Sequence, residues 1–471
     1  MQASSSSGCS LTQQTSATSL CSVSQTPSAN SLFITASEGK EINAQLKRFW
    51  EIEEVGSNEE VPWSPEETSV HNKFEETISH ETDGEKGRYQ VTLPVKEDID
   101  KLLSNKAGAI TRYRSLKNRL NKNQSLKQQY TAVMEEYIKS GFMEKVMEET
   151  EPRKAIYHLP HHPIINEERE TTKVRPVFDA SASEDNSGGL NTKLYKGRTL
   201  QPHLNAITMR FRLNPIAFTA DVKKMFLMIK IHPDQRDLLR VIWDDLLDGS
   251  QSVYRYTVLP FGLRCSPYLA IATIHHHVRK YAETYPEIVK ELLENTYVDD
   301  LLSGAKTIEE AIASYETEVK IMKAAGMELR KWSSNHPKLT QRFIEDNVCS
   351  TEGEKDFTLD EDKDPTTAKS VLDIRWNSSE DYFTFHEKGI LKKANSVRPT
   401  KRNILSVSGK VYDPPGWLSP FIIQIKILNQ RMWQRGLEWD ETLPADLQTT
   451  WEEWRSELTM LSHIKIPRYI G

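Results

Sequence analysis

A chain of 471 residues, with 67 acidic against 61 basic side chains and a formal net charge of −6, is too long for one ordinary core and reads as two to four domains. The acidic total excludes a uniformly basic nucleic-acid binder and leaves room only for locally basic surfaces. Cys9, Cys21, Cys265 and Cys349 lie far apart with no C-x-x-C pair, which excludes a disulfide scaffold or zinc knuckle and suits a reducing compartment. No run approaches the eighteen or so apolar residues of a membrane span, and the N-terminus has neither a signal peptide's apolar core nor a basic leader. The expected location is intracellular, in the cytoplasm, with no membrane partner.

Residues 1–32 are mostly Ser, Thr, Gln and Ala, a composition too poor in large apolar side chains to offset backbone ordering, so a disordered leader is expected. Residues 33–90 form an N-terminal extension in which "KRFWEIEEV" and "VPWSPEE" mix aromatics with acids; short helices that need a neighbouring surface are expected. From Arg112 to Met134 there are six basic residues and no acid, interleaved with Tyr113, Leu116, Leu120, Leu126 and Tyr130 at helical spacing. That stretch is either a solvated helix face or a phosphate-contacting surface presenting Arg112, Arg114 and Lys117.

Strand-like segments follow: "KAIYHLPHHPII", "KVRPVFDASA" and "NPIAFTADVKKMFLMIKI". The clearest helix runs from Ile308 to Ala325. Thr307 and Glu310 make its capping box, Ile308, Ala311, Ile312, Tyr315, Val319 and Met322 line its apolar face, and Gly326 stops it. Just before it, "NTYVDDLLSG" reads as a hairpin with Asp299 and Asp300 at its tip. Residues 341–366 are a polar, acidic linker, and 367–471 form a separate region with a strand pair and then Trp-rich helices. The run His275, His276, His277 is read as core or surface, because consecutive helical residues point apart.

Two adjacent Asp residues in a turn are ordinary on local hydrogen-bonding grounds. A third acid changes the reading: "AFTADV" is an apolar strand ending in Asp221. Three carboxylates at one sheet mouth can hold two Mg2+ ions, roughly 4 Å apart, with substrate phosphates completing the shells. Adjacent carboxylates are tolerable there because the cations cancel their repulsion.

The ordered set "KVRPVFDAS", "FTADVKKMF", "LPFGLRCSP", "YVDD" and "AGMELRKW" resembles the fingers and palm motifs of reverse transcriptases. The flanking "LKRFWEIEEV", "YHLPHHPI", "LRKWSSN", "TKRNILSVSGKVYDPPGWLSP" and "GLEWDETLP" resemble polyproteins of Pao-type (BEL/Pao) long-terminal-repeat retrotransposons, from about residue 41 onward. Departures such as Pro176 in the fingers motif touch no ligand. The resemblance implies an α+β right-hand polymerase: fingers and palm over 91–340, an antiparallel palm sheet backed by helices, and a thumb or connection region after it. It makes Asp221, Asp299 and Asp300 the catalytic, metal-binding carboxylates, with the Val222 carbonyl completing a shell around Mg2+ or Mn2+. Arg175, assisted by Lys173, would clamp the nucleotide triphosphate. Phe226 would be the steric gate against ribonucleotides, "LPFGLRCSP" would back the nucleotide and template base with Phe261 at the deoxyribose, and Pro260 and Gly262 would shape that turn. Lys331 and Trp332 would begin the primer-holding segment, although Trp332 reads equally well as core.

Template–primer and deoxynucleoside triphosphates are the implied partners. Basic residues in 112–127, with Lys392, Lys393, Arg398, Lys401 and Arg402, would track the nucleic-acid backbone. No protease signature is found, the chain stops where RNase H is expected to begin, and integrase is missing; these would be neighbours in a longer polyprotein. Two rivals remain at this stage: a truncated or host-retained copy that binds nucleic acid without polymerising, and an RNA-dependent RNA polymerase, against which Phe226 speaks.

Overall fold

The computed structural model describes residues 62–83, 86–147, 155–165, 174–183, 188–349, 368–371, 374–385 and 387–471. The Ser/Thr-rich leader, residues 33–61, the triphosphate-clamp candidate Lys173, and residues 350–366 of the linker lie outside the described residues.

Helix α1 (Pro65–Thr77) begins where Ser64 and Glu67 form a reciprocal capping box. A hairpin of β1 (Ser79–Asp83) and β2 (Lys86–Val91) follows. The basic stretch becomes two helices, α2 (Lys106–Asn121) and α3 (Gln124–Lys139), which bury Tyr113, Leu116, Leu120, Leu126 and Tyr130. The helical spacing of those apolar residues is therefore the spacing of a core, and the basic side chains are what remains outside. After the short β3 (Met143–Lys145) come β4 (His161–Ile165) and β5 (Val174–Phe178), paired antiparallel.

Next are α4 (Leu204–Phe211), β6 (Ile216–Val222), β7 (Lys230–Ile231), β8 (Arg240–Asp244) and β9 (Gln251–Tyr256). Helices α5 (Ser266–Arg279) and α6 (Pro286–Asn295) precede β10 (Thr296–Tyr297) and β11 (Asp300–Ala305). Helix α7 (Ile308–Ala324) carries the capping box of Thr307 and Glu310, and Gly326 beyond it takes φ +70°. Then come β12 (Leu329–Ser334) and α8 (Pro337–Glu345).

The C-terminal part adds β13 (Ala368–Val371), β14 (Ile374–Asn377) and β15 (Tyr382–Thr384). Four helices follow: α9 (Lys388–Ser396), α10 (Lys401–Ser408), α11 (Ser419–Gln434) and α12 (Ala445–Glu457). The last strand is β16 (Ile466–Pro467).

The sheet that matters most has the order β10-β11-β6-β12, with every pairing antiparallel. This is the α+β architecture with an antiparallel sheet backed by helices that the sequence suggested. Strand β6 sits inside it and is buried at every position except Asp221, which explains why its sequence is an almost unbroken apolar run. One core spans Val70 to Phe343 and includes one face of this sheet. A second lies among α9–α12, and a third joins Ile207, Phe211, Ala217 and Leu302 to Trp376 and Phe383. Arg468, fully buried, fastens that last junction: it pairs with Asp381 and donates to the carbonyls of Phe211, Asn214 and Pro215. Among the described residues no helix is long and apolar enough to cross a membrane.

Candidate active site

The turn between β10 and β11 has two residues. Tyr297 pairs with Asp300, so Val298 and Asp299 form the tip and Asp300, expected at the tip, is instead the first rung of the ladder. Val298 takes φ +57°, as the first turn residue of a tight hairpin of this kind must. The Asp299 carbonyl accepts from Val222 N at 2.7 Å, which ties the tip to the end of β6.

Across the sheet, Asp300 is the register partner of Asp221, and Asp221 is the partner of Arg330 on β12. Directly opposed residues share a face, so Asp300, Asp221 and Arg330 make a row across three strands. The hairpin and the apolar strand, about eighty residues apart in sequence, thus bring their carboxylates together. Asp221 is engaged at both oxygens: Arg330 Nε donates to Oδ1 at 3.0 Å, and Lys331 Nζ lies 3.2 Å from Oδ2. Asp299 keeps solvent access at the tip, yet the protein crowding its carboxyl raises its pKa above the usual carboxylate range. The charge of Asp221 adds to that rise, while Arg175 and Lys331 oppose it. Arg175, exposed on β5, is therefore close enough to feel the carboxylates.

Beside this row the chain leaves β6 through Lys224, at φ +51°, into a 3-10 turn holding Phe226. Phe226 is 9% exposed and packs under the more open Phe261, with ring centroids 4.8 Å apart and planes at 53°. The "LPFG" turn needs its glycine: Gly262 has φ +101°, and a Cβ there would lie 2.0 Å from the Phe178 carbonyl oxygen. Asn191 braces the turn, donating to the Gly262 carbonyl at 3.1 Å and accepting from Arg264 N at 2.8 Å. Sequence reasoning missed Asn191, which no local pattern flags. It also missed Arg330, whose signal was a basic residue one step before Lys331 on a strand that must return beside β6.

The structure corrects other expectations. Trp332 is fully buried against Phe218, Tyr315 and Phe343, so it is core and cannot touch a primer. Lys401 is also buried: its ammonium donates to the Leu437 carbonyl and lies 3.4 Å from the centroid of the Trp433 ring. That cation–π seat replaces a backbone-tracking role. Arg402 is exposed, but its guanidinium is held bidentately by Asp440. On α2, Arg112 pairs with Asp179 and Lys117 with Asp244, whereas Arg114 and Arg119 are exposed without an ion pair among the described residues. Arg119, with Lys122 and Ile165, lines an open basin of about 600 Å³ where α2 meets α3. His277 is buried, held by Tyr89 and the Ile321 carbonyl, with its pKa pushed down to about 4 by burial; the histidine run is structural, as read.

Among the described residues no group of three or more His, Cys, Asp or Glu is gathered for a metal ion. Both Asp221 oxygens are instead engaged by Arg330 and Lys331. The chemistry still fits: the donors are hard carboxylate oxygens, two belong to register partners, and the charge of Asp221 is felt at Asp299.

Comparisons with known proteins follow the same residues. Residues 185–333 match the family model described as reverse transcriptase (RNA-dependent DNA polymerase), and residues 400–471 match that of a Pao retrotransposon-like RNaseH-like domain. The Gag-Pol polyprotein of gibbon ape leukemia virus is 33% identical over 90 residues, 19% of this chain and 5% of the relative. That of koala retrovirus is 33% identical over 87 residues, 18% and 5% respectively. The matches thus span about one-twentieth of the length of these relatives. Among solved structures, the foamy viral protease-reverse transcriptase with double-stranded DNA aligns at TM-score 0.45 and 16% identity, covering 70% of this chain and 48% of that one. Its complex with an RNA/DNA hybrid aligns at 0.43 and 14%, covering 91% and 45%.

Proposed function

For a chain that carries the reverse transcriptase region of a Pao-type retrotransposon, we propose RNA-directed DNA polymerisation: a primer 3'-hydroxyl attacks the α-phosphorus of a deoxynucleoside triphosphate and pyrophosphate leaves. One observation carries this reading. The register sets Asp300 opposite Asp221 and ties the Asp299 tip to Val222, inside the segment that matches the reverse transcriptase family model.

Asp221 and Asp299, with Asp300 and the Val222 carbonyl, would hold two divalent cations, Mg2+ or Mn2+, which supply activation of the primer hydroxyl and neutralisation of charge on the leaving pyrophosphate. The remaining work belongs to side chains. Arg175, exposed on β5 and within electrostatic reach of Asp299, clamps the triphosphate through its planar donors. Phe226, held in place by Phe261, sets the wall that a ribose 2'-hydroxyl would meet. The braced turn around Gly262 keeps that wall stiff. Arg114, Arg119 and the basin beside Lys122 face the anionic template strand, where binding is sequence-tolerant and salt-sensitive.

The working assembly is then template–primer, deoxynucleotides and, in a longer polyprotein, protease, RNase H and integrase regions, inside the cell or a retroelement particle. The 400–471 match, described as RNaseH-like, falls on the helices read as thumb or connection. Primer extension on poly(rA) with an oligo(dT) primer tests the proposal. DNA product that disappears in Asp221→Asn supports it; retained nucleic-acid binding with no product, or incorporation of ribonucleotides instead, overturns it.

A further inference from the structure

In a regular strand, consecutive side chains point to opposite faces. Arg330 and Lys331 do not, since both reach the Asp221 carboxylate, one at each oxygen. The backbone is bent to allow it. The β12–β6 register slips between Arg330 and Ser333, and Lys331 takes the left-handed conformation at φ +55°, unfavourable for a residue with a long side chain. A bulge of this kind re-aims a side chain, and here it turns a second cation onto one acid. Trp332 then resumes the inward direction and packs into the core, anchoring the distortion.

Resting on the reading of Asp221 as a metal ligand, we propose that Arg330 and Lys331 are positioning residues, built-in counter-ions that hold the Asp221 carboxylate in the free protein and release it when a divalent cation comes in with a nucleotide. The pair keeps the Asp221 carboxylate oriented while no substrate is present. It also lowers the affinity of the site for a bare cation, so that loading depends on the triphosphate, whose negative charge draws the two basic side chains away from Asp221. A purely structural ion pair would stay on Asp221 when the triphosphate binds, so its effect on metal affinity would not depend on the nucleotide.

The test measures Mn2+ binding to the full chain by the electron paramagnetic resonance of free Mn2+. Lys331→Asn removes the ammonium while suiting the left-handed backbone, and Arg330→Gln removes the second charge without touching that residue. Each variant alone should bind Mn2+ about fivefold tighter than the unaltered chain, the scale of a partly exposed ion pair. With template–primer and a dideoxynucleoside triphosphate present, the difference should shrink toward zero. Arg330→Lys, which restores the charge, should return to the original affinity. Unchanged or weaker Mn2+ binding in folded Lys331→Asn and Arg330→Gln overturns the proposal and leaves the polymerase reading standing. A gain that survives addition of Asp221→Asn shows that Mn2+ is not at Asp221 and overturns both.

Discussion

The two faces of the central sheet carry carboxylates in opposite circumstances. On one face Asp221 and Asp300 are register partners, with Arg330 and Lys331 on Asp221 and Arg175 near the tip. On the other, Glu291 of α6 accepts from the Ser303 hydroxyl, and Glu318 of α7 lies beside it wholly buried. The Ser303 hydroxyl lies near Glu318 but donates to Glu291, leaving both Glu318 oxygens without a well-formed hydrogen bond, and neither glutamate has an ion pair among the described residues. Burial first, then Glu291, pushes the pKa of Glu318 well above the usual carboxylate range. Ser303 has one proton and gives it to Glu291, so Glu318 is best satisfied when protonated, as a donor. On one face the acids sit beside cations; on the other the buried acid is answered by a proton.

The sharpest way to break that comparison is to neutralise one acid on each face. Asp299→Asn should lower primer extension by on the order of 10³-fold, as losing a group that stabilises transition-state charge does. Glu291→Gln should leave the rate within a few-fold in the same assay. Equal losses would mean that both faces serve catalysis.

A large effect is also expected where the site is walled. Gly262→Ala puts a methyl into the Phe178 carbonyl oxygen at a positive φ and should cost roughly 3 kcal/mol in urea unfolding. A near-neutral result would show that the turn is free to shift.

The buried face has a pH signature. Because the folded pKa of Glu318 is raised, the folded chain holds a proton that the unfolded chain has lost once pH exceeds the unfolded value near 4.5. Stability from this group is therefore full below that pH and falls as pH rises through the raised folded pKa. Urea melts should show the unaltered chain weaker at pH 8 than at pH 5, with Glu318→Gln flattening the slope. An unchanged slope in Glu318→Gln would remove the protonated-packing interpretation.

The smallest effects separate the basic residues. Arg114→Ala should weaken template–primer binding a few-fold and reduce the salt slope by about one unit. Lys401→Ala should cost about 1–2 kcal/mol of stability through its lost cation–π seat and leave the salt slope unchanged. Swapped outcomes would reverse the assignment of the two residues.

Much of this was legible in the sequence, and the residues show why. The hairpin at 296–301, the capping box of Thr307 and Glu310 and the stop at Gly326 are local signals, set by turn and cap chemistry within a few residues. Asp221 was legible because an apolar strand ending in an acid has few other uses. Partners across strands were not. The slip between Arg330 and Ser333 is a property of pairing with β6, so nothing in "LRKW" says which of three polar or aromatic neighbours faces the acid. Trp332 stayed open between core and primer, and Lys401 went wrong, for one reason: a long amphipathic side chain reads the same whether its ring or stem ends in water or in a core. Glu318 could have been found, since it lies three residues after Tyr315 and four before Met322 on the buried face of α7.

The most direct test is to locate the metal. In crystals of the chain with template–primer, a dideoxynucleoside triphosphate and Mn2+, the anomalous signal should lie between the Asp221 and Asp299 carboxylates. Signal absent there, or found instead at Glu291 and Glu318, would contradict the assignment of chemistry to the charged face.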